Sequence, residues 1–495
     1  MFPRPQLDPD SDVPLYRQLS HHVKGLIRAG RLRQGERLPP TRELAGLLGL
    51  NRTTVSAAYS LLESEGLLTG HVGRGSFVAV HVEPEVPGLD WDELLDVADR
   101  PAMTAAPPLM AAHGAISFST SRPAEELFPL EEFRQSCREV IDDAQAGGIL
   151  QLGSPSGYAP LREYLRGQAR RTGVAREQDD VIVTNGCQQA MDLIQRVLVR
   201  SGETVVVEDP VYPGLKSVFA LAGARLVGVP VGPEGLDVEH LDRVLAREKP
   251  RLLVLTPNFQ NPTGATIPLA SRKAILARAR EAGVVVVEND IYGELRYGGA
   301  FVPTLKQLDE SGDTVLLRSF SKIAFPGLRV GWVTGPRPLL ARLAEAKQWT
   351  DLHTDQLSQA VLLRFAESGR LAAHRSRILA AGAQRLAAVL AACERCLPEG
   401  STFTRPQGGM NLWVRLPEPL DAGELLPRAW RENVTYLPGK YFEVTHHEQG
   451  GLRLSFAGLE PERILTGMAR LGEIFSRELE RVRAASRYEP VPAMV

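Results

Sequence analysis

The stretch that decides the fold is SFSKIAFPGLRVGW, residues 319–332. Its two hydroxyls, Ser319 and Ser321, and its guanidinium, Arg329, are groups that bind a phosphate well. Lys322 lies among them, and a lysine amine that has lost its proton forms a Schiff base with a carbonyl. The stretch therefore predicts a pocket for an anionic cofactor that carries a carbonyl group.

Two earlier segments supply groups for the same pocket. Gly186, Cys187 and Gln188 follow a strand pattern and open a helix pattern, and backbone N–H groups at a helix N-terminus favour a phosphate. Tyr212, in EDPVYPG, has an aromatic side chain suited to lying flat against an aromatic cofactor ring. Each signal is weak alone, because glycine turns and packed tyrosines are common in proteins.

Polar groups also follow two apolar runs. Asn261, in NPTG, lies on a turn after Leu252–Leu255, where its amide donates to a ring oxygen. Asp290 and Tyr292 follow Val284–Val287, and open α/β sheets bind ligands at the carboxyl ends of their strands. A buried Asp stays ionised beside a protonated pyridine nitrogen, and that pairing strengthens a cofactor as an electron sink. The sequence therefore predicts Asp290 at the ring nitrogen.

From about Ile116 onward, strand and helix patterns alternate. This alternation is typical of an α/β domain around a mostly parallel sheet. The last third, with GGMNLW at 408–413 and LRLSF at 452–456, suits a smaller α+β subdomain.

The first eighty residues have a different pattern. Val13–Gly30 is predicted to form a helix, Thr41 to cap a short second helix, and Asn51 to cap a third. Two alternating runs, 67–69 and 76–80, flank a glycine-rich turn and are predicted to be strands. Three helices and a two-stranded wing make a winged helix-turn-helix.

A recognition helix enters the major groove with its N-terminal residues at the base edges. We predict base contacts from the start of the third helix, made by Asn51, Arg52, Thr53 and Thr54. Thr41 and Arg42, at the start of the second helix, are predicted to contact phosphates, and Arg74 is predicted to contact DNA from the wing tip. Residues 13–80 carry nine Lys/Arg against four Asp/Glu, which fits a polyanionic partner.

Residues 81–113 hold seven Asp/Glu, one Arg and several prolines, a composition typical of a linker. The predicted organisation is a DNA-binding domain at 1–80, a Pro-rich acidic linker at 81–113, a cofactor-binding domain at 114–480 and a C-terminal tail at 481–495.

The chain has no signal-peptide pattern and no membrane-spanning apolar run, and its four cysteines do not make a disulfide framework. We therefore expect a cytoplasmic protein with no membrane partner. We expect no metal, because the CxxC of Cys393 and Cys396 lacks a second ligand pair with zinc spacing.

The N-terminal segment resembles the GntR family of winged-helix regulators over almost the whole domain. The matching positions are Leu38-Pro39, Arg42-Glu43-Leu44-Ala45, Arg52-Thr53-Thr54-Val55, Leu62-Glu63, Gly66-Leu67 and Gly73-Arg74-Gly75. The resemblance implies binding to a double-stranded DNA operator.

The order and spacing of the pocket residues resemble the fold-type I, pyridoxal 5′-phosphate (PLP)-dependent aminotransferases over roughly residues 116–475. By that resemblance, Lys322 is the Schiff-base lysine and Asp290 holds the pyridine nitrogen. Asn261 and Tyr292 are implied to contact the ring hydroxyl, Tyr212 the ring face, and Arg453 the α-carboxylate of an amino acid. The implied phosphate contacts come from Gly186, Cys187, Gln188, Ser319, Ser321 and Arg329.

The fusion of the two domains resembles the MocR/GabR group of bacterial transcription regulators. In that group the aminotransferase fold senses a ligand, turnover is usually absent or slight, and the homodimer is typically head-to-tail. The resemblance implies a PLP-dependent regulator whose effector is PLP itself or an amino acid forming an aldimine with it at Lys322.

An active aminotransferase with an accessory DNA-binding domain stays open as the alternative. A structural DNA-binding protein without cofactor is a third hypothesis, and the presence of Lys322, Asp290 and Arg329 argues against it.

Overall fold

The computed structural model describes residues 13–71, 75–79, 114–144, 146–446 and 448–486, together with residues 3, 5, 7, 8 and 89. The chain divides into two compact units, Met1–Asp99 and Arg100–Val495. The predicted wing-tip residue Arg74 and almost all of the predicted linker lie outside the described residues.

The first unit is a winged helix-turn-helix, as the sequence predicts. Its helices and strands are Leu15–Arg28 (α1), Thr41–Leu48 (α2), Arg52–Ser64 (α3), Leu68–His71 (β1) and Gly75–Val78 (β2), and the two strands pair antiparallel. Leu19, Val23, Val55 and Leu62 are fully buried in its core, where the apolar faces of α1 and α3 meet.

Both helix boundaries of the helix-turn-helix have a local cause. Gly49 ends α2 at φ 69°, a left-handed conformation that glycine adopts at little cost. Asn51 caps α3, because its side chain accepts a hydrogen bond from Thr53 N at 3.2 Å. Thr41 differs from its prediction: it is the first helical residue of α2, and Pro40 holds the cap position without a side-chain bond.

The second unit contains the α/β sheet and the smaller subdomain. Its strands are Ile116–Ser117 (β3), Asp179–Thr184 (β4), Thr204–Asp209 (β5), Arg225–Gly232 (β6), Gly235–Leu236 (β7), Leu252–Leu255 (β8), Val285–Asn289 (β9), Val315–Ser319 (β10), Gly331–Pro336 (β11), Thr402–Phe403 (β12), Asn411–Arg415 (β13), Val434–Thr435 (β14), Leu437–Pro438 (β15) and Gly451–Ser455 (β16). Its helices are Leu130–Ile141 (α4), Ala146–Ile149 (α5), Ala159–Arg171 (α6), Cys187–Leu198 (α7), Pro213–Leu221 (α8), Val238–Glu248 (α9), Leu269–Glu281 (α10), Leu305–Leu308 (α11), Arg337–Asp351 (α12), Gln356–Glu367 (α13), Arg370–Cys396 (α14), Ala422–Arg431 (α15) and Pro461–Ser486 (α16). The last helix therefore extends six residues into the predicted C-terminal tail.

The large sheet has eight strands in the order β4-β11-β10-β9-β8-β5-β6-β7. Strands β6, β5, β8, β9 and β10 run parallel, while β11 runs against its neighbours β10 and β4. Helices cover both faces, so the central strands are apolar on both sides: Val205 and Val207 of β5 pack into one core cluster and Val206 into another. Alternate residues of each strand therefore face opposite layers of the protein.

The smaller subdomain has its own antiparallel sheet, in the order β12-β13-β16-β15, and a short parallel pair of β3 with β14. The long helices α14 and α16 pack together beside it. This arrangement confirms the predicted fold class. Within the described ranges, no helix has both the length and the apolar character needed to cross a membrane.

A buried ion pair ties α11 to the edge strand β4. Lys306 Nζ lies 3.0 Å from Asp179 Oδ1, and both side chains are wholly buried. The same ammonium donates to Gly312 O at 2.9 Å. Removing one partner of a buried pair leaves the other charge uncompensated, which is far more costly than breaking an exposed pair.

We predict that Lys306→Met lowers the free energy of unfolding of the second unit by about 3–5 kcal/mol, because Asp179 is left buried and unpaired. Urea denaturation followed by tryptophan fluorescence measures the change. The matched control is Arg342→Met, which breaks the exposed Arg342–Glu345 pair and is expected to cost less than about 1 kcal/mol. Equal losses in the two variants would contradict the prediction.

Candidate functional site

A cavity of about 540 Å³ lies at the carboxyl ends of the parallel strands of the large sheet. Asn289 ends β9 and Ser319 ends β10, while Thr256 follows β8 and Tyr212 follows β5, and all four line the cavity. The predicted site residues that line it are Cys187, Gln188, Tyr212, Asn261, Tyr292, Ser319, Ser321, Lys322, Arg329 and Arg453. The fold therefore brings together groups that are more than 250 residues apart in the chain.

One end of the cavity is built for an anion. Arg329 Nη1 lies 3.4 Å from Ser321 Oγ, and Arg329 Nη2 donates to Asn185 O at 3.2 Å. Helix α7 begins beside this guanidinium, and no described side chain caps its first turn. The first backbone N–H groups of a helix have no partner within the helix, so they are available to an anionic ligand here.

Gly186 is required for this arrangement because of its φ and its close neighbour. Its φ is 83°, and a Cβ built on it would lie 2.4 Å from Arg329 Nη2. A side chain at residue 186 would therefore displace the guanidinium. Cys187, the next residue, remains a neutral thiol, because burial raises its pKa to about 12. It therefore adds no negative charge at the anionic end.

Lys322 lines the cavity together with its neighbours. Lys322 ends the short helical turn Phe320–Lys322, which Ser319 caps by accepting a hydrogen bond from Ser321 N at 3.0 Å. Lys322 Nζ donates to Ser121 O at 2.8 Å and lies 5.8 Å from the centroid of the Tyr292 ring. The amine is thus held inside the cavity by a hydrogen bond and a neighbouring aromatic ring.

A hydroxyl and an amide face the cavity together. Tyr292 is fully buried, and its Oη accepts from Asn261 Nδ2 at 3.4 Å and lies 3.5 Å from Ser121 Oγ. The role of both side chains at a ring hydroxyl stays a prediction. Tyr212 is 43% exposed at the mouth of the cavity. Its ring folds over Gly214, where a Cβ would lie 2.4 Å from the ring.

Arg453 reaches the cavity from strand β16 of the smaller subdomain. Its Nη1 donates to Asn261 Oδ1 at 3.1 Å and its Nη2 donates to Ser119 O. Among the described residues its Nε has no hydrogen-bond partner, although the atom is buried. Burial lowers the pKa of Arg453 to about 10, which leaves the guanidinium charged at neutral pH. A buried charge with a free donor is suited to binding a carboxylate.

Asp290 does not lie where the sequence analysis expected it. Its carboxylate faces the opposite side of the sheet, towards a separate cavity of about 520 Å³ that Arg318 also lines. Arg318 donates to Asp290 Oδ2 from Nε at 3.0 Å and from Nη2 at 2.7 Å, and Asn258 Nδ2 donates to Oδ1 at 2.7 Å. The reason is strand alternation: Asp290 directly follows the last residue of β9, its N–H still donates to Leu317 O of β10, and it therefore points to the face opposite that of Asn289.

Asn289 is the residue that the sequence analysis missed, because its orientation depends on the register of β9 with β10. In the pairing of β9 with β10, Leu317 lies opposite Asn289. Ser319 is two residues beyond Leu317 and shares its face, so this register places Asn289 on the same side of the sheet as Ser319.

The first unit presents its predicted DNA contacts at the start of α2 and α3. Arg42, Asn51, Arg52 and Thr53 are exposed, while Thr41 and Thr54 are partly buried. The opposite face of α3 carries the buried Val55, which fixes its rotation on the core. These side chains therefore form one accessible surface at the N-terminus of the predicted recognition helix.

The two units match different family models. Residues 116–471 match the model of aminotransferase class I and II, and residues 15–78 match that of the bacterial regulatory proteins of the gntR family. These two ranges contain every candidate site residue of the cavity and of the DNA-binding surface.

Three similar proteins represent the two aspects of the chain. It is 39% identical to 2-aminoadipate transaminase of Thermus thermophilus, over 77% of this chain and 92% of that protein. It is 31% identical to the probable rhizopine catabolism regulatory protein MocR of Rhizobium meliloti, over 97% of this chain and 99% of that protein. The crystal structure of LysN, the α-aminoadipate aminotransferase of Thermus thermophilus complexed with N-(5′-phosphopyridoxyl)-L-leucine, is 38% identical and covers 79% of this chain and 100% of its own, with a TM-score of 0.73.

We predict that Gly186→Ala weakens PLP binding at least about tenfold, because the new Cβ displaces the Arg329 guanidinium. A titration followed by absorbance measures the affinity. Gly202→Ala is the matched control: its φ is 84°, almost the same, but a Cβ there meets nothing within 4 Å. Both variants pay the backbone strain of a positive φ, of about 1–3 kcal/mol, so only the clash separates them. Equal affinities for PLP would refute the role assigned to this close approach.

Proposed function

The chain belongs to the class I and II aminotransferase family and to the MocR type of gntR-family transcription regulators, and we propose that it senses PLP, or an amino acid bound together with PLP, through Lys322. The observation that carries this proposal is the cavity, which is lined together by Lys322, by the anion site and by the buried charge of Arg453.

The residues of the cavity fit PLP. The family uses this cofactor, and when bound it forms a covalent link to a lysine amine and withdraws electrons from an attached amino acid. Arg329, Ser321 and the start of α7 would hold the phosphate. Lys322 would carry the covalent link. Asn261 and Tyr292, already 3.4 Å apart, would hold the ring hydroxyl.

Arg453 supports an amino acid as the effector. Its buried Nε has no hydrogen-bond partner among the described residues. Its Nη1 is 3.1 Å from Oδ1 of Asn261, the residue proposed to hold the hydroxyl of the PLP ring. An α-carboxylate bound there would satisfy the free donor and offset the cost of burying the charge. Arg453 would thus hold the α-carboxylate of the amino acid, and the amino group would take the position that Lys322 holds when no amino acid is bound.

The gntR-family domain binds DNA, and the effector must change that binding. A ligand shifts such an equilibrium only by its different affinity for two states of the protein. In a homodimer, two winged helices must match two half-sites, so a change in the arrangement of the subunits alters operator affinity. We therefore propose that the functional form is a head-to-tail homodimer.

Exposed apolar side chains of the second unit support the dimer. Trp349 is 83% exposed, and Leu150 and Leu152 are each 72% exposed. Asp351, two residues after Trp349, accepts a hydrogen bond from Asn185 Nδ2 at 2.7 Å, and Asn185 O in turn accepts from Arg329. The exposed end of α12 is thereby coupled to the anion end of the cavity. Large exposed apolar side chains are typical of surfaces that another subunit covers.

Active transamination is the second candidate. It is favoured by the position of Arg453 and by the 39% identity to 2-aminoadipate transaminase. Both functions need PLP at Lys322, and they differ in whether the bound amino acid is converted and released. Incubation of the PLP form with amino acids and 2-oxo acids, followed by assay for a keto-acid product, distinguishes them.

We predict that Lys322→Ala abolishes the effect of PLP on operator affinity, because the variant lacks the amine that forms the covalent link. Borohydride reduction followed by peptide mass analysis should find the cofactor on the peptide of Lys322 in the wild type and no fixed cofactor in the variant. Lys273→Ala, which removes an exposed lysine of α10, should behave as the wild type in both measurements. A normal PLP response in Lys322→Ala would defeat the proposal.

We predict that Arg52→Ala lowers affinity for an operator selected from random-sequence DNA by about 1–3 kcal/mol, the cost of losing one base contact. Fluorescence anisotropy with operator and unrelated DNA measures the effect. Ser60→Ala is the control, since Ser60 is exposed on the same helix two turns further along. An equal loss of affinity for both DNAs would show that Arg52 contacts only phosphates.

A further inference from the structure

Asn289, the last residue of β9, and Asp290, which directly follows it, face two different cavities. Asn289 lines the proposed PLP cavity together with Lys322, and Asp290 lines the cavity on the other side of the sheet together with Arg318. The register with β10 requires this division, because Leu317 pairs with Asn289 and Leu316 pairs with Glu288. The acid and the amide therefore have different environments.

The carboxylate of Asp290 is already neutralised. It is wholly buried, Arg318 donates two hydrogen bonds to its Oδ2, and Asn258 donates one to its Oδ1. An acid held by a bidentate guanidinium has its counter-charge in the protein itself. It has neither the orientation nor the free oxygen needed to hold a proton on a ligand in the PLP cavity.

The amide of Asn289 has spare hydrogen-bonding capacity. Asn289 is 7% exposed, and its Nδ2 lies 3.5 Å from Thr256 Oγ1. Its Oδ1 is buried without a hydrogen-bond partner among the described residues. Thr256 also lines the cavity, at the end of the neighbouring strand β8. A buried polar group without a partner costs free energy, so this amide is suited to pairing with a ligand.

The chemistry of PLP determines which of its atoms reaches Asn289. The ring nitrogen lies opposite the carbonyl carbon that bonds to a lysine, while the hydroxyl and the phosphate arm flank that carbon. Lys322, the Asn261–Tyr292 pair and Arg329 account for the last three groups. The nitrogen must then point away from Lys322, towards the strand ends, where Asn289 offers its amide.

We propose that Asn289 is the partner of the PLP ring nitrogen and that this neutral amide leaves the nitrogen unprotonated. An anionic partner raises the pKa of a nearby base, whereas an amide supplies no such charge. A half-turn of the amide exchanges its two ends: Oδ1 then accepts from the Thr256 hydroxyl, and an N–H of Nδ2 donates to the unprotonated nitrogen. This inference rests on the proposed PLP site and specifies its electronic state.

The consequence is a cofactor that binds an amino acid but converts it slowly. A protonated ring nitrogen makes the ring a better acceptor of electrons, and a carboxylate partner is the usual means of keeping it protonated. Asn289 removes that assistance, while Lys322 and Arg453 keep the groups that capture an amino acid. The site is therefore suited to reporting occupancy rather than to turnover.

The test is to load the full-length protein with PLP labelled with ¹⁵N at the ring nitrogen and to record its chemical shift across a pH series. We expect the shift of an unprotonated nitrogen in the wild type at neutral pH. Asn289→Asp is expected to raise the pKa of the nitrogen by about 1–3 units and to produce the shift of the protonated form. The same variant should convert an amino acid to its keto acid at least about tenfold faster in a single turnover.

Asp290→Asn is the matched control, since it exchanges the same two side-chain types one residue further along. We expect it to leave the ¹⁵N shift unchanged, because Asp290 faces Arg318. A protonated nitrogen in the wild type, or a shift that responds to Asp290→Asn and not to Asn289→Asp, would overturn the proposal. If Asp290→Asn does not fold, the wild-type and Asn289→Asp spectra still decide. Failure to fix PLP on Lys322 with borohydride would instead refute the proposed function, so the two failures are distinguishable.

Discussion

The site depends on one geometric constraint: parallel strands present their carboxyl ends at the same edge of the sheet, and each strand sends alternate side chains to opposite faces. Strands β5, β8, β9 and β10 run parallel and end at the cavity, so each contributes a polar residue at or just after its last position. The same alternation sends Arg318 and Asp290 to the other face, where they neutralise each other. The sheet thus separates a reactive cavity from a structural ion pair.

The anion end of the cavity shows how closely the backbone must pack to make this edge functional. Gly186 and Gly331 approach so nearly that a Cβ on Gly331 would lie 2.8 Å from the Cα of Gly186. This contact brings the start of α7 against Arg329, which itself adopts a left-handed φ of 55°. The positive charge and the free N–H groups of the helix therefore converge on one point, where they act together on a phosphate.

The proposed site assigns binding and turnover to different residues. In the proposed site, Lys322 would capture the ligand through a covalent link and Arg329 and Arg453 through charged contacts, and none of these contacts would depend on the ring nitrogen. The electron-withdrawing power of the ring depends on the partner of that nitrogen. An aminotransferase fold with these capture groups and a neutral partner at the nitrogen would suit regulation, because a ligand that is converted slowly would stay bound longer.

The sequence by itself determined the two domains, the winged helix and most of the cavity, because motifs such as SFSK, NPTG and the cap at Asn51 act through local spacing. It also led to Lys322 and Arg329 directly, since their chemistry is distinctive. It was wrong about Asp290, where a carboxylate after an apolar strand was interpreted by residue type alone. Only the tertiary structure decided that Asn289 faces the cavity, because the orientation of a strand residue depends on its register with the neighbouring strand and on its partners across the fold.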